Sequence, residues 1–261
     1  MTIFQPGLRG IRMFITDFDG VLCDSIHECI ISSYNAYGQV HIPDYTHIKR
    51  LEELEQSKQG QFRRLRPYIR GGEDYVLLFW TIENNIPVTN QQEFDALREE
   101  HRDILIKYKK QFYVERDFLL QQDKEQWLRL NPLFEGIEDA LKQNDAYKHV
   151  HILTTKRRTD VLEILTYHGL DFPAEQITYT KASDKVPILL NLLQEHNASI
   201  RDSVFVEDQI EFLIEPKSHQ IQTYLVGWSY ISNAQRATAQ QHEIPVIDVA
   251  EFTSILHAML K

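Results

Sequence analysis

The chain has too few cysteines for a disulfide-rich fold: two among 261 residues. Cys23 and Cys29 lie in one short segment, and neither has a metal-ligand partner at CxxC spacing. We therefore expect two reduced thiols in a cytosolic protein. A membrane-spanning helix needs roughly 18 consecutive apolar residues, and the sequence has no such run. The segment from Met1 to Gly10 lacks a basic stretch followed by an apolar one, so we expect no secretory signal.

Basic residues are also in deficit, with 28 Lys and Arg against 38 Asp and Glu, which gives a formal net charge of −10. Nonspecific nucleic-acid binding needs a basic surface, so this balance argues against nucleic acid as a partner. A small phosphorylated molecule remains compatible, because a local cationic pocket can form in an acidic protein. The 11 histidines form no HxxxH or HExxH pattern, and we assign no zinc site.

Short apolar runs alternate with helical segments in most of the chain. The first run, residues 12–17, ends in Asp17 and is typical of a buried strand, and a helix is expected over 26–37 with Asp24 and Ser25 as caps. After Asn131-Pro132, strands are predicted at 150–154, 177–180, 203–206, 222–226 and 246–247, and helices at 155–164, 184–196 and 250–260. The pattern predicts an α/β protein with a doubly wound, mostly parallel sheet.

The middle of the chain differs from both ends. From about Asp44 to Leu130, apolar residues recur at helical spacing among charged ones, and few strand-like runs occur. We expect an all-helical insertion at 26–130 between two parts of one α/β core, residues 1–25 and 131–261.

Polar residues that could transfer a phosphoryl group end the predicted strands or open the helices after them. Ligands of doubly wound sheets bind beyond the carboxyl ends of the strands. One carboxylate can attack phosphorus, a second can exchange protons, and others can hold magnesium, while a hydroxyl and an ammonium bind phosphate oxygens. The residues at these positions are Asp17, Asp19, Thr154, Lys185, Glu207 and Asp208.

Their order resembles the haloacid dehalogenase-like superfamily. The segments that carry the resemblance are Asp17-Phe18-Asp19-Gly20-Val21-Leu22-Cys23-Asp24-Ser25, Leu153-Thr154-Thr155-Lys156, Lys185-Val186-Pro187 and Phe205-Val206-Glu207-Asp208. The insertion at 26–130 is similar to the helical cap of the phosphoglycolate phosphatase-like branch, although it is longer than that branch usually carries.

The resemblance implies a soluble, cytoplasmic, magnesium-dependent phosphatase that acts on a small phosphomonoester through an aspartyl-phosphate intermediate. Asp17 would be the nucleophile, and Asp19 the general acid and base. Thr154 and Lys185 would hold the phosphoryl group. Mg²⁺ would bind Asp17, Asp208 and the backbone carbonyl of Asp19. We expect no membrane partner, and a monomer or a homodimer.

The fourth motif departs from the family pattern, which often reads Gly-Asp with a second Asp about four residues later. Glu207 replaces the glycine, and Phe212 stands at the second position. Either Glu207 or Glu211 could supply the missing carboxylate, and Glu211 could equally be a solvated helix residue. Asp208 could instead be a helix cap.

Other assignments have alternatives as well. Thr154 could cap the next helix, and Lys181 competes with Lys185, which we favour because it opens a helical run. We also expect Thr155 and Arg70 to contact substrate. Arg70 belongs to a group of cap arginines that could clamp an anion or form a solvated basic face.

Three other functions share this sequence pattern. A phosphomutase would use the same core residues. A phosphate-binding regulatory protein without useful turnover is suggested by the altered fourth motif. A dehalogenase is disfavoured, because carbon–halogen cleavage does not need an acid and base at Asp19.

Overall fold

The computed structural model describes residues 11–181 and 185–260. Met1 to Gly10, Asp184 at the start of a predicted helix, and the final residue lie outside the described ranges. The chain divides into two compact units, one of Met1–Asp24 with Leu133–Lys261 and one of Ser25–Pro132. Within the described ranges, no helix combines the length and the apolar character that crossing a membrane requires.

The first unit is built on a six-stranded sheet in the order β3-β2-β1-β4-β5-β6, in which every neighbouring pair is parallel. The chain winds outward from β1 in both directions, so the predicted doubly wound α/β fold is confirmed. A crevice for ligands is expected where the winding reverses, beyond the carboxyl ends of β1 and its neighbours. The strands are β1 Met13–Thr16, β2 Val150–Thr154, β3 Ile177–Tyr179, β4 Ser203–Glu207, β5 Gln222–Val226 and β6 Val246–Ile247.

The second unit contains helices and no strands, as the sequence pattern predicted. Phe62, Phe79 and Phe112 are buried in its core. Ser25 stands at the N-cap position of the first helix, but its side chain makes no capping hydrogen bond, so that part of the prediction is wrong. The helices are α1 Ile26–His41, α2 Gln56–Leu65, α3 Gly72–Glu83, α4 Gln91–Glu100, α5 Arg102–Gln122 and α6 Lys124–Arg129, with 3₁₀ turns at Leu51–Glu53 and Arg66–Tyr68.

Within the described ranges, six further helices cover the sheet of the first unit. They are α7 Ile137–Lys142, α8 Arg158–Tyr167, α9 Val186–Glu195, α10 Glu211–Ser218, α11 Asn233–Gln241 and α12 Val249–Ala258, with 3₁₀ segments at Gln143–His149, Ala174–Gln176 and Ile200–Asp202. Successive strand residues point to opposite faces. Ile15 packs in an apolar cluster with Leu189 of α9 and Leu213 of α10, whereas Phe14 meets Phe252 of α12 edge to face. Helices therefore bury both faces, as parallel sheets require.

Candidate active site

Asp17 lies directly beyond β1, at the predicted crevice. Its backbone N–H donates to the carbonyl of Val206 at 3.0 Å, which continues the pairing of β1 with β4. Its side chain is largely buried, and the backbone N–H of Phe18 donates to Oδ1 at 2.7 Å. The carboxylate is thereby fixed at the end of the central strand.

The loop after Asp17 turns back tightly. The backbone N–H groups of Leu22 and Cys23 both donate to the carbonyl of Phe18, and Gly20 donates to the carbonyl of Cys23. Gly20 has φ of +88°, a left-handed conformation that glycine adopts without a side-chain clash. The turn places Asp19 at the carboxyl edge of the sheet, with 21% of its side chain exposed.

Two acidic residues meet at the end of β4. Glu207 is fully buried, and its Oε2 accepts hydrogen bonds from the backbone N–H groups of Asp208 at 2.8 Å and Gln209 at 3.3 Å. The Oδ2 atom of Asp208 accepts a hydrogen bond from the hydroxyl of Ser229 at 3.2 Å. Helix α10 begins at Glu211 with Ile210 at its N-cap position, so Asp208 does not cap it.

Three carboxylates form one compact group at this edge. Asp17, Glu207 and Asp208 each present an oxygen, and these oxygens lie within 4.8 Å of one another. Three hard oxygen donors suit a magnesium ion, so the residues present fit the metal that the resemblance implies. Glu211, partly exposed at the start of α10, is not a member of the group among the described residues.

Lys185 joins two of these carboxylates. Its Nζ lies 2.9 Å from Oδ2 of Asp17 and 2.5 Å from Oε1 of Glu207. The ammonium also lies 5.2 Å from the ring centroid of Phe212, the residue that stands in place of the family's second acid. Lys181, the alternative candidate, is exposed. The structure therefore brings Lys185, the candidate favoured over Lys181, into contact with Asp17.

Burial and the charge of the neighbouring ion-pair partner shift the pKa values of these residues in opposite directions. Burial raises the pKa of Asp17 to about 7, although Lys185 lowers it, and the charge of Glu207 raises it further. Burial also raises the pKa of Glu207. Burial alone would lower the pKa of Lys185, but the charges of Asp17 and Glu207 outweigh it and raise that pKa. Lys185 thus remains a charged ammonium. Burial favours the neutral form of the two carboxyl groups beside it.

Thr154 ends β2, next to β1 in the sheet. Its Oγ1 accepts a hydrogen bond from the backbone N–H of Lys156 at 3.1 Å. Helix α8 starts at Arg158 with Arg157 at its N-cap, so Thr154 is not the cap of that helix. Thr155, a predicted substrate contact, is partly exposed in the same turn.

Two residues of this edge were assigned no role from sequence. Lys156 has a completely buried side chain, and its Nζ lies 3.1 Å from Oδ1 of Asp19. Ser229, in the loop after β5, reaches Asp208. The sequence signals for Lys156 were its place two residues after Thr154, at the end of a strand, and its place in one of the segments that carry the family resemblance. Ser229 gave no signal.

Arg70 belongs to the helical unit. Its guanidinium binds the carboxylate of Asp95 through two nitrogens, at 3.0 and 3.3 Å. Asp95 therefore binds the same guanidinium that we expected, from the sequence, to contact the substrate. A substrate contact by Arg70 stays a prediction.

No family model matches the chain, and no curated protein matches its sequence. Solved structures do match. A predicted phosphoglycolate phosphatase from Haemophilus somnus 129PT is 17% identical, with a TM-score of 0.62 over 95% of this chain and 99% of its own. A predicted phosphatase from Clostridium acetobutylicum is 16% identical, with a TM-score of 0.55 over 94% of this chain and 97% of its own.

A conserved haloacid dehalogenase-like protein of unknown function from Agrobacterium tumefaciens str. C58 is 19% identical, with a TM-score of 0.56. That match covers 97% of this chain and all of the other. At such low identity, a likeness of structure establishes the fold alone. The chain therefore has the fold of the haloacid dehalogenase-like hydrolases, including those described as phosphoglycolate phosphatases.

Proposed function

We propose that this protein is a magnesium-dependent phosphatase that hydrolyses a small phosphomonoester through an aspartyl-phosphate on Asp17. The observation that carries the proposal is the contact of Lys185 with Asp17 inside a group of three carboxylates at the carboxyl edge of the sheet. A nucleophile, a cation for phosphate oxygens and oxygen ligands for a metal are thus held together. Phosphoryl transfer depends mainly on such positioning and charge.

The first step transfers the phosphoryl group to the protein. An oxygen of Asp17 attacks phosphorus, and the bond from phosphorus to the substrate oxygen breaks with its electron pair on that oxygen. Asp19 gives the leaving oxygen a proton, so that an alcohol departs. The hydroxyl of Thr154 and the ammonium of Lys185 hold the phosphoryl oxygens.

The second step releases phosphate. A water oxygen attacks phosphorus, the bond to the Asp17 oxygen breaks, and Asp19 takes a proton from the water. Asp17 is regenerated as a carboxylate. The carboxylates of Asp17 and Asp208, with the backbone carbonyl of Asp19, would hold Mg²⁺, and the carboxylate of Glu207 beside them would support these ligands from outside. When bound, the metal supplies positive charge that offsets the charge of the phosphate.

A panel of phosphomonoesters incubated with MgCl₂ tests the proposal, with 2-phosphoglycolate included because phosphoglycolate phosphatases share the fold. We expect phosphate release that EDTA abolishes. Asp17→Asn is the matched control, because it keeps the shape of the side chain and removes the nucleophile. Equal phosphate release by wild type and Asp17→Asn over the whole panel would contradict the proposal.

The same panel separates the two alternatives. A sugar bisphosphate as phosphoryl donor, with phosphate moved to a second sugar and not released, would identify a phosphomutase. Tight binding of phosphate esters without turnover would identify a binding protein.

A further inference from the structure

Lys156 is a fully buried lysine beside an acid that is partly open to solvent. None of its side chain is exposed, whereas 21% of the Asp19 side chain is. Burial strips an ammonium of its hydration, and a nearby carboxylate with good hydrogen-bond geometry offsets that cost. One partner, at 3.1 Å, is Oδ1 of Asp19. The chain thus places a buried charge in contact with the carboxylate of Asp19.

The backbone brings these two residues together through neighbouring strands. Thr16 and Ile152 are register partners of β1 and β2, so the turns that follow the two strands lie side by side. The hydroxyl of Thr154 accepts from the backbone N–H of Lys156 and fixes the second turn. Lys156 therefore approaches Asp19 from a turn that this hydrogen bond holds in place.

We propose that Lys156 is a positioning residue that holds the carboxylate of Asp19 for proton transfer, which rests on the function proposed above. A lysine ammonium has three donors and no acceptor. The Asp19 oxygen that it binds is therefore held as an acceptor, and rotation of the carboxylate about its Cβ–Cγ bond is restricted. An acid and base gains its effect only when it lies within hydrogen-bond reach of the proton that it moves.

Hydrolysis of the aspartyl-phosphate is the step that depends most on the position of Asp19. In it, water attacks phosphorus, the bond from phosphorus to Asp17 breaks, and the water proton goes to Asp19. With p-nitrophenyl phosphate, the first step needs little help from an acid, because p-nitrophenolate leaves without a proton. If the Asp19 carboxylate is no longer held in place, hydrolysis of the aspartyl-phosphate should slow more than formation of the aspartyl-phosphate.

Rapid-quench kinetics with p-nitrophenyl phosphate and MgCl₂ tests the proposal on Lys156→Met. We expect the rate constant for aspartyl-phosphate hydrolysis to fall about 10- to 100-fold, which is part of the roughly 10²–10⁴-fold that a positioned acid or base contributes, because Asp19 itself is kept. The rate constant for phosphorylation should stay near that of the wild type, so phosphoprotein accumulates. Asp19→Asn should give the same pattern, and Lys156→Arg, which keeps a donor, should recover part of the hydrolysis rate.

Lys181→Met is the matched control, because Lys181 is exposed near the end of the next strand, and it should behave as the wild type. Circular dichroism and thermal melting establish that the variants fold. If Lys156→Met does not fold, Lys156→Gln takes its place with the same readout. An unchanged hydrolysis rate, or an equal loss in both steps, would overturn the role of Lys156. A wild-type protein that forms no phosphoprotein would instead overturn the proposed function.

Discussion

A Cβ atom added to Gly20 would lie 2.1 Å from Oδ2 of Asp208, a distance that real Cβ atoms do not tolerate. The loop after β1 and the acidic end of β4 are thus packed so closely that a Cβ at position 20 would force the Asp208 side chain to move. Gly20→Ala should displace Asp208 and strain a backbone with φ of +88°. We expect about 1–3 kcal/mol of lost stability from the strained residue and a weakened metal site. Urea unfolding and magnesium titration of the variant measure the two effects.

Gly60→Ala is the control for this prediction. Nothing lies within 4 Å of a Cβ at Gly60, which is exposed inside α2. Alanine should stabilise that helix by roughly 0.5–1 kcal/mol, because glycine is the poorer helix former. If Gly20→Ala were as stable and as active as Gly60→Ala, the close packing of Gly20 on Asp208 would be wrong.

Much of the fold was predictable from local pattern. β2 at Val150–Thr154 and β5 at Gln222–Val226 have the predicted bounds, since apolar runs next to polar residues define strands of a buried parallel sheet. Helix α11, Asn233–Gln241, was not predicted. It buries only Gln235 and Ala239, so its sequence carries little apolar periodicity.

The sequence predicted the site residues that directly follow a strand. It did not predict which residues of different strands would contact each other. Glu207 and Glu211 were equal candidates from sequence, because spacing along the chain does not show that the Glu207 side chain is fully buried. The pair of Lys156 and Asp19 joins residues far apart in sequence, through the register of two strands. Such pairing follows from tertiary structure, which one sequence does not reveal.

The carboxylate group predicts a ranking of magnesium affinity among three variants. Asp208→Ala should bind magnesium most weakly of the three and nearly lose activity, because it removes a proposed ligand. Glu207→Gln should weaken magnesium binding about 10- to 100-fold, the usual cost of losing a residue that orients metal ligands. Glu211→Gln should bind as the wild type does, because Glu211 lies outside the group. Isothermal titration with MgCl₂ measures all three.

Glu211→Gln serves as the charge-matched control for Glu207→Gln, since both remove one negative charge from the same stretch of chain. Equal magnesium affinity in these two variants would mean that Glu207 does not support the metal site and that its role is to pair with Lys185. A larger loss in Glu211→Gln would restore Glu211 as the replacement for the missing acid.

His151 on β2 predicts a loss of stability in acid. Burial, with the nearby charges of His196 and Arg158, lowers the pKa of His151 to about 4, and its Nε2 hydrogen-bonds with Thr178 at 2.9 Å. The unfolded chain, with an ordinary pKa of about 6.5, therefore takes up the proton first as pH falls. The contribution of His151 to the free energy of unfolding is therefore complete above the pKa of the unfolded chain. It is lost as the pH falls toward the pKa of His151 in the folded protein.

Urea unfolding of wild type and His151→Gln at two pH values isolates this effect. The wild type should lose about 2 kcal/mol more than the variant between roughly pH 8 and pH 5, from a shift of this size. The difference between the two proteins removes the titration of every other group. Parallel pH dependence in both proteins would show that His151 is protonated alike in the folded and unfolded chain.

The helical unit contains a buried ion pair between Glu28 of α1 and Arg116 of α5. Nε and Nη2 of Arg116 donate to the two carboxylate oxygens of Glu28 at 3.0 and 2.8 Å. The hydroxyl of Ser32 donates to the same carboxylate at 2.6 Å. The Glu28 side chain is fully buried, and only 4% of the Arg116 side chain is exposed. Removal of one partner would therefore leave an uncompensated charge in the core.

Arg116→Met should destabilise the protein by about 3–5 kcal/mol, the usual cost of breaking a buried pair. The double variant Glu28→Gln/Arg116→Met should recover part of that loss, because it removes the remaining charge. Arg102→Met is the matched control, since Arg102 pairs with Glu99 at 3.0 Å while both side chains are about 70% exposed, and such a surface pair contributes about 0–1 kcal/mol. Urea unfolding of the three variants measures these differences. A similar small loss in Arg116→Met and Arg102→Met would show that water reaches the Glu28 carboxylate and takes the place of the guanidinium.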